Sequence, residues 1–363
     1  MTLSAVPPAE TASDSHQRIL AGLERLSTHR KDVWPISRLL ENNPWTAQVG
    51  HRMNNCARHL ELAVKAAQDG QEVQGILCGN FCKARLCPMC EWRRTVAWRA
   101  RCLPGFALFR AEFPTHVPLF LTLTVRNCPL DSTAETIDHI HKSWSRLTKR
   151  KFFPSAYWLR RTEVTVGNAP GSADAPQQRR RYSLRTADGK LKPLDDRRRV
   201  VARRDRDITM PLYAHPHLHA LLMVPASYWS IGYITQLRWQ QEWMDAAHLD
   251  YPPIVDVRRG KAKSGSRRPE DVEADALREV AKYVTKSQDV LAMGKQAVDL
   301  HYQLKGKRLI AVSSALQKFI PNEPISAEEM TDLNALRLAE PGMALALVQW
   351  EELASTYQLT ALT

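Results

Sequence analysis

The segment His215-Pro-His217-Leu-His219-Ala-Leu-Leu-Met-Val224 constrains this chain more than any other. Histidine alternates with other residues and the run then turns apolar, the pattern of a strand with one face in a core. Residues i and i+2 of a strand share a face, so His217 and His219 stand side by side while Leu218 and Ala220 turn inward. Two neighbouring imidazoles are half of a metal site, and ordinary surface or core histidines are the competing reading. His215 joins the pair unless Pro216 bends the strand away.

The cysteines pose a second constraint. They are Cys56, Cys78, Cys82, Cys87, Cys90, Cys102 and Cys128, an odd number with four crowded between 78 and 90. The first residues lack a basic n-region followed by an apolar stretch, so the crowding reads as metal binding in a reducing compartment, not a disulfide framework. Cys87-Pro-Met-Cys90 has the spacing of a structural zinc knuckle, and four thiolates would close the shell against catalysis. Redox chemistry at this Cys-x-x-Cys pair is the alternative. Arg93, Arg94, Arg99 and Arg101 follow directly and are candidate phosphate contacts.

Lys and Arg number 51 against 38 Asp and Glu, a net +13 that favours polyanions such as nucleic acid. Apolar residues at 44% and charged residues at 25% are ordinary globular usage, which excludes wholesale disorder. Apolar runs such as Ala220–Val224 fall far short of the ~20 residues of a membrane helix. No membrane partner and a cytoplasmic location are therefore expected.

Along the chain, residues 1–45 form a variable N-terminal segment with one amphipathic stretch, Ile19–Leu26. Residues 46–104 read as a cysteine-rich zinc module. Strands are predicted at Pro118–Val125, Thr162–Val166, Leu218–Val224 and Ile254–Val257, with helices over 227–248 and from Pro269 to Lys286. Between the second and third strands, residues 167–210 carry twelve Lys or Arg without apolar periodicity. That stretch reads as a long basic hairpin insertion, either solvated or touching DNA. The order predicts an α+β domain over 105–320, an antiparallel sheet with helices on one face. Residues 321–363 change character, with seven acidic residues against one basic, and read as an acidic tail.

Glu279-Val-Ala-Lys282-Tyr283-Val-Thr-Lys286 supplies a third cluster. On a helix, Glu279 and Tyr283 stack four apart with Lys286 on the same side, bringing together a carboxylate, a phenol and an ammonium. An ordinary solvent-facing i, i+4 pair is the plain alternative. No phosphate-binding Gly-x4-Gly-Lys-Ser/Thr loop and no Gly-x-Gly-x-x-Gly occur, so neither an ATPase motor nor a dinucleotide enzyme is supported.

Together these residues resemble the replication initiators of rolling-circle plasmids in the HUH endonuclease superfamily, in the subgroup whose third motif pairs Glu with Tyr four residues later. Phe120–Val125 resembles the first motif, His215–Val224 the second and Glu279-x-x-x-Tyr283-x-x-Lys286 the third. Phe81–Cys90, Ile254–Arg258 and Leu304-Lys-Gly-Lys-Arg-Leu309 also match, so the resemblance spans about residues 50–320. His215 stands where the family usually has Asn, and the insertion after Glu163 is longer than typical.

The resemblance implies an HUH endonuclease-like domain that nicks and joins plasmid origin DNA. Tyr283 would be the nucleophile, giving a 5′-phosphotyrosyl intermediate, and Glu279 would assist hydrolytic termination. Lys286 would help the phenol ionise. His217, His219 and Glu163 would hold a divalent ion, Mg or Mn. Cys82, Cys87 and Cys90 would hold structural Zn with Cys56 or Cys78 as fourth ligand, and Arg93, Arg94 and Lys282 would contact DNA. Expected partners are single-stranded or extruded origin DNA, a host helicase and a polymerase, in the bacterial cytoplasm, with oligomerisation open. An HUH transposase or relaxase, or a non-catalytic zinc-ribbon DNA-binding regulator, are the alternatives.

Overall fold

The computed structural model describes residues 23–24, 26–67, 70–168, 212–266, 268–280, 284–320 and 343–362. Residues 169–210 of the basic insertion read over 167–210, Lys282, Tyr283 and residues 321–342 of the acidic segment lie outside the described residues. In chain order come α1 (Val33–Glu41), α2 (Ala47–Asn54), β1 (His59–Ala67), β2 (Gly70–Gly79) and α3 (Pro88–Glu112). Then follow β3 (His116–Thr124), β4 (Cys128–Pro129), α4 (Thr133–Leu147), β5 (Trp158–Asn168), β6 (Leu212–Pro225), α5 (Gln236–Ala246) and β7 (Val255–Arg259). The chain ends with α6 (Pro269–Val280), α7 (Ser287–Met293), α8 (Ala297–Leu304), β8 (Ile310–Val312), α9 (Ser314–Gln317), β9 (Met343–Glu351) and β10 (Thr356–Leu362).

These elements form two compact units, Met1–Ala97 with Glu323–Thr363, and Trp98–Asn322. The first unit is built on an antiparallel sheet in the order β10-β9-β1-β2. Leu60 pairs with Val348 and Leu62 with Ala346, all buried. The segment read from its charge as an acidic tail thus supplies two strands to the sheet begun by the N-terminal half. Tyr357 donates its hydroxyl to the Ala57 carbonyl at 2.6 Å, and the Arg30 guanidinium lies 5.2 Å from the Trp350 ring centre. Such pairings between opposite ends of a chain leave no local periodic signature, which is why the strands at 59–79 and 343–362 were not foreseen.

The second unit holds a six-stranded sheet in the order β7-β3-β6-β5-β8, with β4 also on β6. The α+β class with antiparallel sheets and a buried cysteine cluster near the N-terminus follows from both units. Helices lie on both faces of this sheet and not on one as expected, α4 and α5 on the first. Leu119, Leu121 and Leu123 of β3 and Leu218, Ala220, Leu222 and Val224 of β6 pack there against Trp144, Trp239 and Trp243, all fully buried. Burying each such large side chain contributes about 1.5–3 kcal/mol, so this layer anchors the sheet. A second set of helices covers one end of the other face. There Leu159, Leu221 and Met223 meet Phe106 and Phe109 of α3, Leu277 and Val280 of α6 and Leu316 of α9.

The strands run longer than their apolar signals. β5 and β6 stay paired from Trp158↔Leu222 out to Asn168↔Leu212, a hairpin that persists despite the long insertion between them. Pro216 does not bend β6 away. On the β3 side, β6 pairs with β3 as far as Thr124↔His217 and with β4 from Cys128↔Ala214, so Pro216 sits in the break where a missing N–H costs nothing.

The predicted helix to Lys286 is corrected. Among the described residues α6 covers Pro269–Val280, Val284 and Thr285 are not helical, and Lys286 is extended at φ −72°, ψ 139°, leading into α7. Sheet bonding overrides helical spacing here. β8 pairs with β5 only at Leu159–Arg161, and the next outward N–H groups of β5 are taken by the Leu309 carbonyl (from Thr162, 2.8 Å) and the Val284 carbonyl (from Val164, 2.8 Å). No helix among the described residues is long and apolar enough to cross a membrane.

Candidate metal and DNA-processing site

His217 lies at the middle of β6 and is flanked on both sides. Glu163 of β5 is its register partner on one side and Thr124 of β3 on the other. One step along, His219 is flanked by Arg161 and Thr122 in the same way. Pairs directly opposite across a sheet project to one face, so these six side chains form two rows on the surface that the apolar pattern of Leu218 and Ala220 leaves free.

The histidines and the glutamate converge. Glu163 Oε2 is 3.3 Å from His219 Nε2 and 3.8 Å from His217 Nε2. One donor atom from each of the three lies within 4.8 Å of the others. Donors about 2.1 Å from a common ion stand roughly 3–4 Å apart, so the set has the size of a divalent metal site. Both imidazoles are held from behind. His217 Nδ1 donates to the His215 carbonyl at 3.0 Å, and His219 Nδ1 is bonded to Thr122 Oγ1 at 3.1 Å. For His217 the proton on Nδ1 leaves the Nε2 lone pair facing Glu163, the tautomer a metal ligand requires.

Electrostatics agree with that tautomer. Burial pushes His217 below its ordinary pKa, and burial with the neighbouring His217 brings His215 to about 4. At Glu163 burial opposes charge, but the hydrogen bond to His219 and the positive fields of His217, His219 and Lys286 outweigh it and hold the carboxyl below its usual range. His217 and Glu163 are each only 9% exposed, so a carboxylate is kept charged where little water reaches it.

Of the third cluster, Glu279 is half-buried in the last turn of α6. Lys286 is exposed on the far side of the 281–283 stretch, yet its charge acts on both Glu163 and His217. Tyr283 itself lies outside the described residues. Its chain neighbour Val284 is buried and bonded to Val164, the residue after Glu163.

The other constellation lies in the first unit, where Cys56, Cys82, Cys87 and Cys90 gather, all buried. Their Sγ atoms are 3.5–3.7 Å apart in the pairs Cys56–Cys87, Cys56–Cys90 and Cys82–Cys90. A tetrahedron with metal–sulfur bonds of about 2.3 Å has edges of about 3.8 Å, so the spacing suits Zn. The backbone N–H of Cys82 donates to Cys56 Sγ and that of Lys83 to Cys90 Sγ, with Lys83 in the left-handed region at φ 63°. Sulfhydryls of Cys56, Cys82 and Cys87 push the Cys90 thiol well down, which favours a thiolate there. Cys56 is thus the fourth member of the cluster, while the Cys78 backbone lies on β2.

Arg93 and Arg94, read from sequence as phosphate contacts, are engaged inside this module. The buried Arg93 guanidinium sits 3.7 Å from the Phe81 ring centre, and Arg94 bonds the Glu91 carboxylate and the Lys83 carbonyl at 2.5 Å each. They brace the loop that carries Cys82. Sequence reasoning also missed Arg161, Thr122 and Thr124 as neighbours of the histidines; the Thr-x-Thr alternation within β3 was the one signal that could have found the threonines.

Comparison with known proteins gives the family. The family model described as Replication protein (Rep_1) matches residues 74–357, and the chain belongs to that family of replication proteins. It is similar to the protein named rep of Bacillus amyloliquefaciens, 26% identical over 76% of this chain and 73% of that one. A rep protein of a Bacillus species is 26% identical over 81% and 87% of the two chains, and one of Streptococcus pneumoniae serotype 2 (strain D39 / NCTC 7466) is 29% identical over 70% and 66%. No solved structure gives a significant match.

Proposed function

We propose that this replication protein is a rolling-circle initiator of the HUH endonuclease type, which nicks plasmid origin DNA. The observation that carries this reading is the convergence of His217, His219 and Glu163 on two adjacent strands. These three would hold a Mg or Mn ion, which when bound polarises a phosphoryl oxygen of the scissile phosphate. Arg161 flanks His219 and adds positive charge on the same face. Tyr283 attacks the phosphorus, forming a bond from its phenolate oxygen to the 5′ phosphate while the bond to the 3′ oxygen breaks and that oxygen leaves as the 3′-OH. The phenol, with an ordinary pKa near 10, must lose its proton first, and Lys286 stabilises the phenolate. Glu279 then serves as general base for the water that hydrolyses the phosphotyrosyl bond at termination. The cysteine module would hold structural Zn, and the fragment bearing the 3′-OH primes a host polymerase, with strand separation left to a host helicase.

The test is a denaturing-gel assay of purified protein with single-stranded oligonucleotides tiling the origin of its own replicon, in Mn or in EDTA. A Mn-dependent nick that leaves protein on the 5′ phosphate, abolished in Tyr283→Phe, is expected. Absence of any cut across the tiling, or equal cutting by the Phe variant, would overturn the reading in favour of a non-catalytic DNA-binding regulator.

A further inference from the structure

The segment Leu304-Lys-Gly-Lys-Arg-Leu309 has no part in the metal and tyrosine chemistry, yet it borders an unexplained charge. Arg160 of β5 is 7% exposed, and its Nε and Nη1 atoms have no hydrogen-bond partner. Its register partners are Ala220 on β6 and Ala311 on β8, which offer it no side-chain acceptor. Thr162, two residues on and therefore on the same face, bonds His141 Nε2 of α4 at 2.8 Å, which places Arg160 beneath that helix. The Asp138 carboxylate of α4 is held by Lys307 at 2.6 Å. His141 is neutral near pH 7, because burial and the field of Arg160 bring its pKa to about 4, and it offers Arg160 no negative charge.

Arg160 therefore has cations for company. Burial and the charge of Arg308 lower its pKa to about 10. Arg308 is exposed and forms no ion pair among the described residues. Gly306 makes the turn between Lys305 and Lys307 at φ +72°, with open space around its Cα where a side chain would stand, and Lys305 and Arg308 on either side of it are exposed. A buried guanidinium without an acceptor is costly, and a bound anion would remove that cost. With a net charge of +13 and membership of a replication family, that anion is a DNA phosphate.

We propose that Arg160 and Arg308, with Lys305 close to Arg308 in sequence, form a phosphate-binding site for a DNA strand on the sheet face opposite Glu163, His217 and His219. The site extends the DNA-processing reading above and rests on it for the identity of the ligand. Planar guanidiniums bind phosphate oxygens in pairs, which a lysine cannot copy. A strand held here and cut at the other face would pass around the edge of the sheet formed by β8.

The full-length protein and its Arg160→Met, Arg160→Lys and Arg308→Gln variants are titrated with a fluorescent 30-nucleotide single strand at several salt concentrations, and their thermal unfolding is recorded with and without inorganic phosphate. Arg160→Met and Arg308→Gln are expected to weaken binding at least about fivefold and to reduce the slope of log affinity against log salt by about one each. Arg160→Lys is expected to recover little of the loss. Without DNA, Arg160→Met is expected to melt about 3 °C higher, because an uncompensated buried charge is gone. Unchanged affinity and slope in both variants overturn the site. So does a lower melting temperature in Arg160→Met with normal DNA binding by Arg308→Gln, which would make Arg160 a structural brace. Phosphate stabilisation with no loss of DNA affinity in the variants means an adventitious ion only, and also overturns it. If the expected binding pattern appears but the wild type never nicks, the phosphate site stands and the nicking reading fails.

Discussion

Glu163 and His217 face each other as register partners on β5 and β6, and the same carboxylate oxygen that lies 3.8 Å from His217 lies 3.3 Å from His219. A single-residue slip of β5 against β6 would turn Glu163 to the apolar face and leave the histidines without a carboxylate. The Glu163–His217–His219 cluster is therefore as well defined as the hairpin that carries it.

The bond behind His219 should tune metal affinity. Thr122→Val keeps the shape of the side chain but removes the hydroxyl at 3.1 Å from Nδ1. A loss of roughly 10-fold in Mn affinity is expected, against a far larger loss for His219→Ala. Titrating nicking activity with Mn, and Mn binding by calorimetry, would measure both; equal behaviour of Thr122→Val and wild type would show that the threonine does not orient the ring.

Metal content separates the cysteines. Cys56→Ser is expected to purify with zinc well below one equivalent and to melt lower, whereas Cys78→Ser and Cys102→Ser are expected to keep the metal. The reason is that Cys56 lies with Cys82, Cys87 and Cys90, while Cys102 is buried in the apolar core of the second unit. Elemental analysis of the purified variants decides it, and full zinc in Cys56→Ser would remove that residue from the ligand set.

Trp243 ties the apolar layer to the site. Its indole N–H donates to the Thr124 carbonyl at 2.8 Å, and Thr124 flanks His217. Trp243→Phe leaves a cavity and an unpaired carbonyl, so a destabilisation of about 2–3 kcal/mol is expected in urea unfolding. A change below about 0.5 kcal/mol would show that the layer repacks freely.

His141 should make stability depend on acid. Burial and the field of Arg160 lower its folded pKa to about 4, below the ordinary 6.5. The unfolded chain therefore binds the proton more readily. This contribution is complete above pH 6.5 and is lost as pH falls from 6.5 toward 4. Between pH 7 and pH 5 the wild type is expected to lose about 1–2 kcal/mol more than His141→Gln, measured by urea unfolding at both values. Parallel losses in the two proteins would mean that His141 titrates normally.

Local pattern determined much of this protein. The alternation from His217 to Val224 set a strand with imidazoles on one face and apolar residues on the other, and Cys87-x-x-Cys90 marked a thiolate cluster, because both signals lie within a few residues of each other in the chain. The helix predicted over 227–248 is present in part as α5, Gln236–Ala246, whose Trp239 and Trp243 are fully buried. What lay beyond local pattern was decided by contacts between distant segments. Register across β5 and β6 brought Glu163 to the histidines, folding brought Cys56 to Cys82, Cys87 and Cys90, and pairing with β1 turned part of an acidic tail into strands. The N–H of Val164 holds the Val284 carbonyl, and Val284–Lys286 are not helical, against their own spacing. Periodicity reports which face of an element is apolar; which elements meet, and in what register, depends on the packing and hydrogen bonds of the whole sheet.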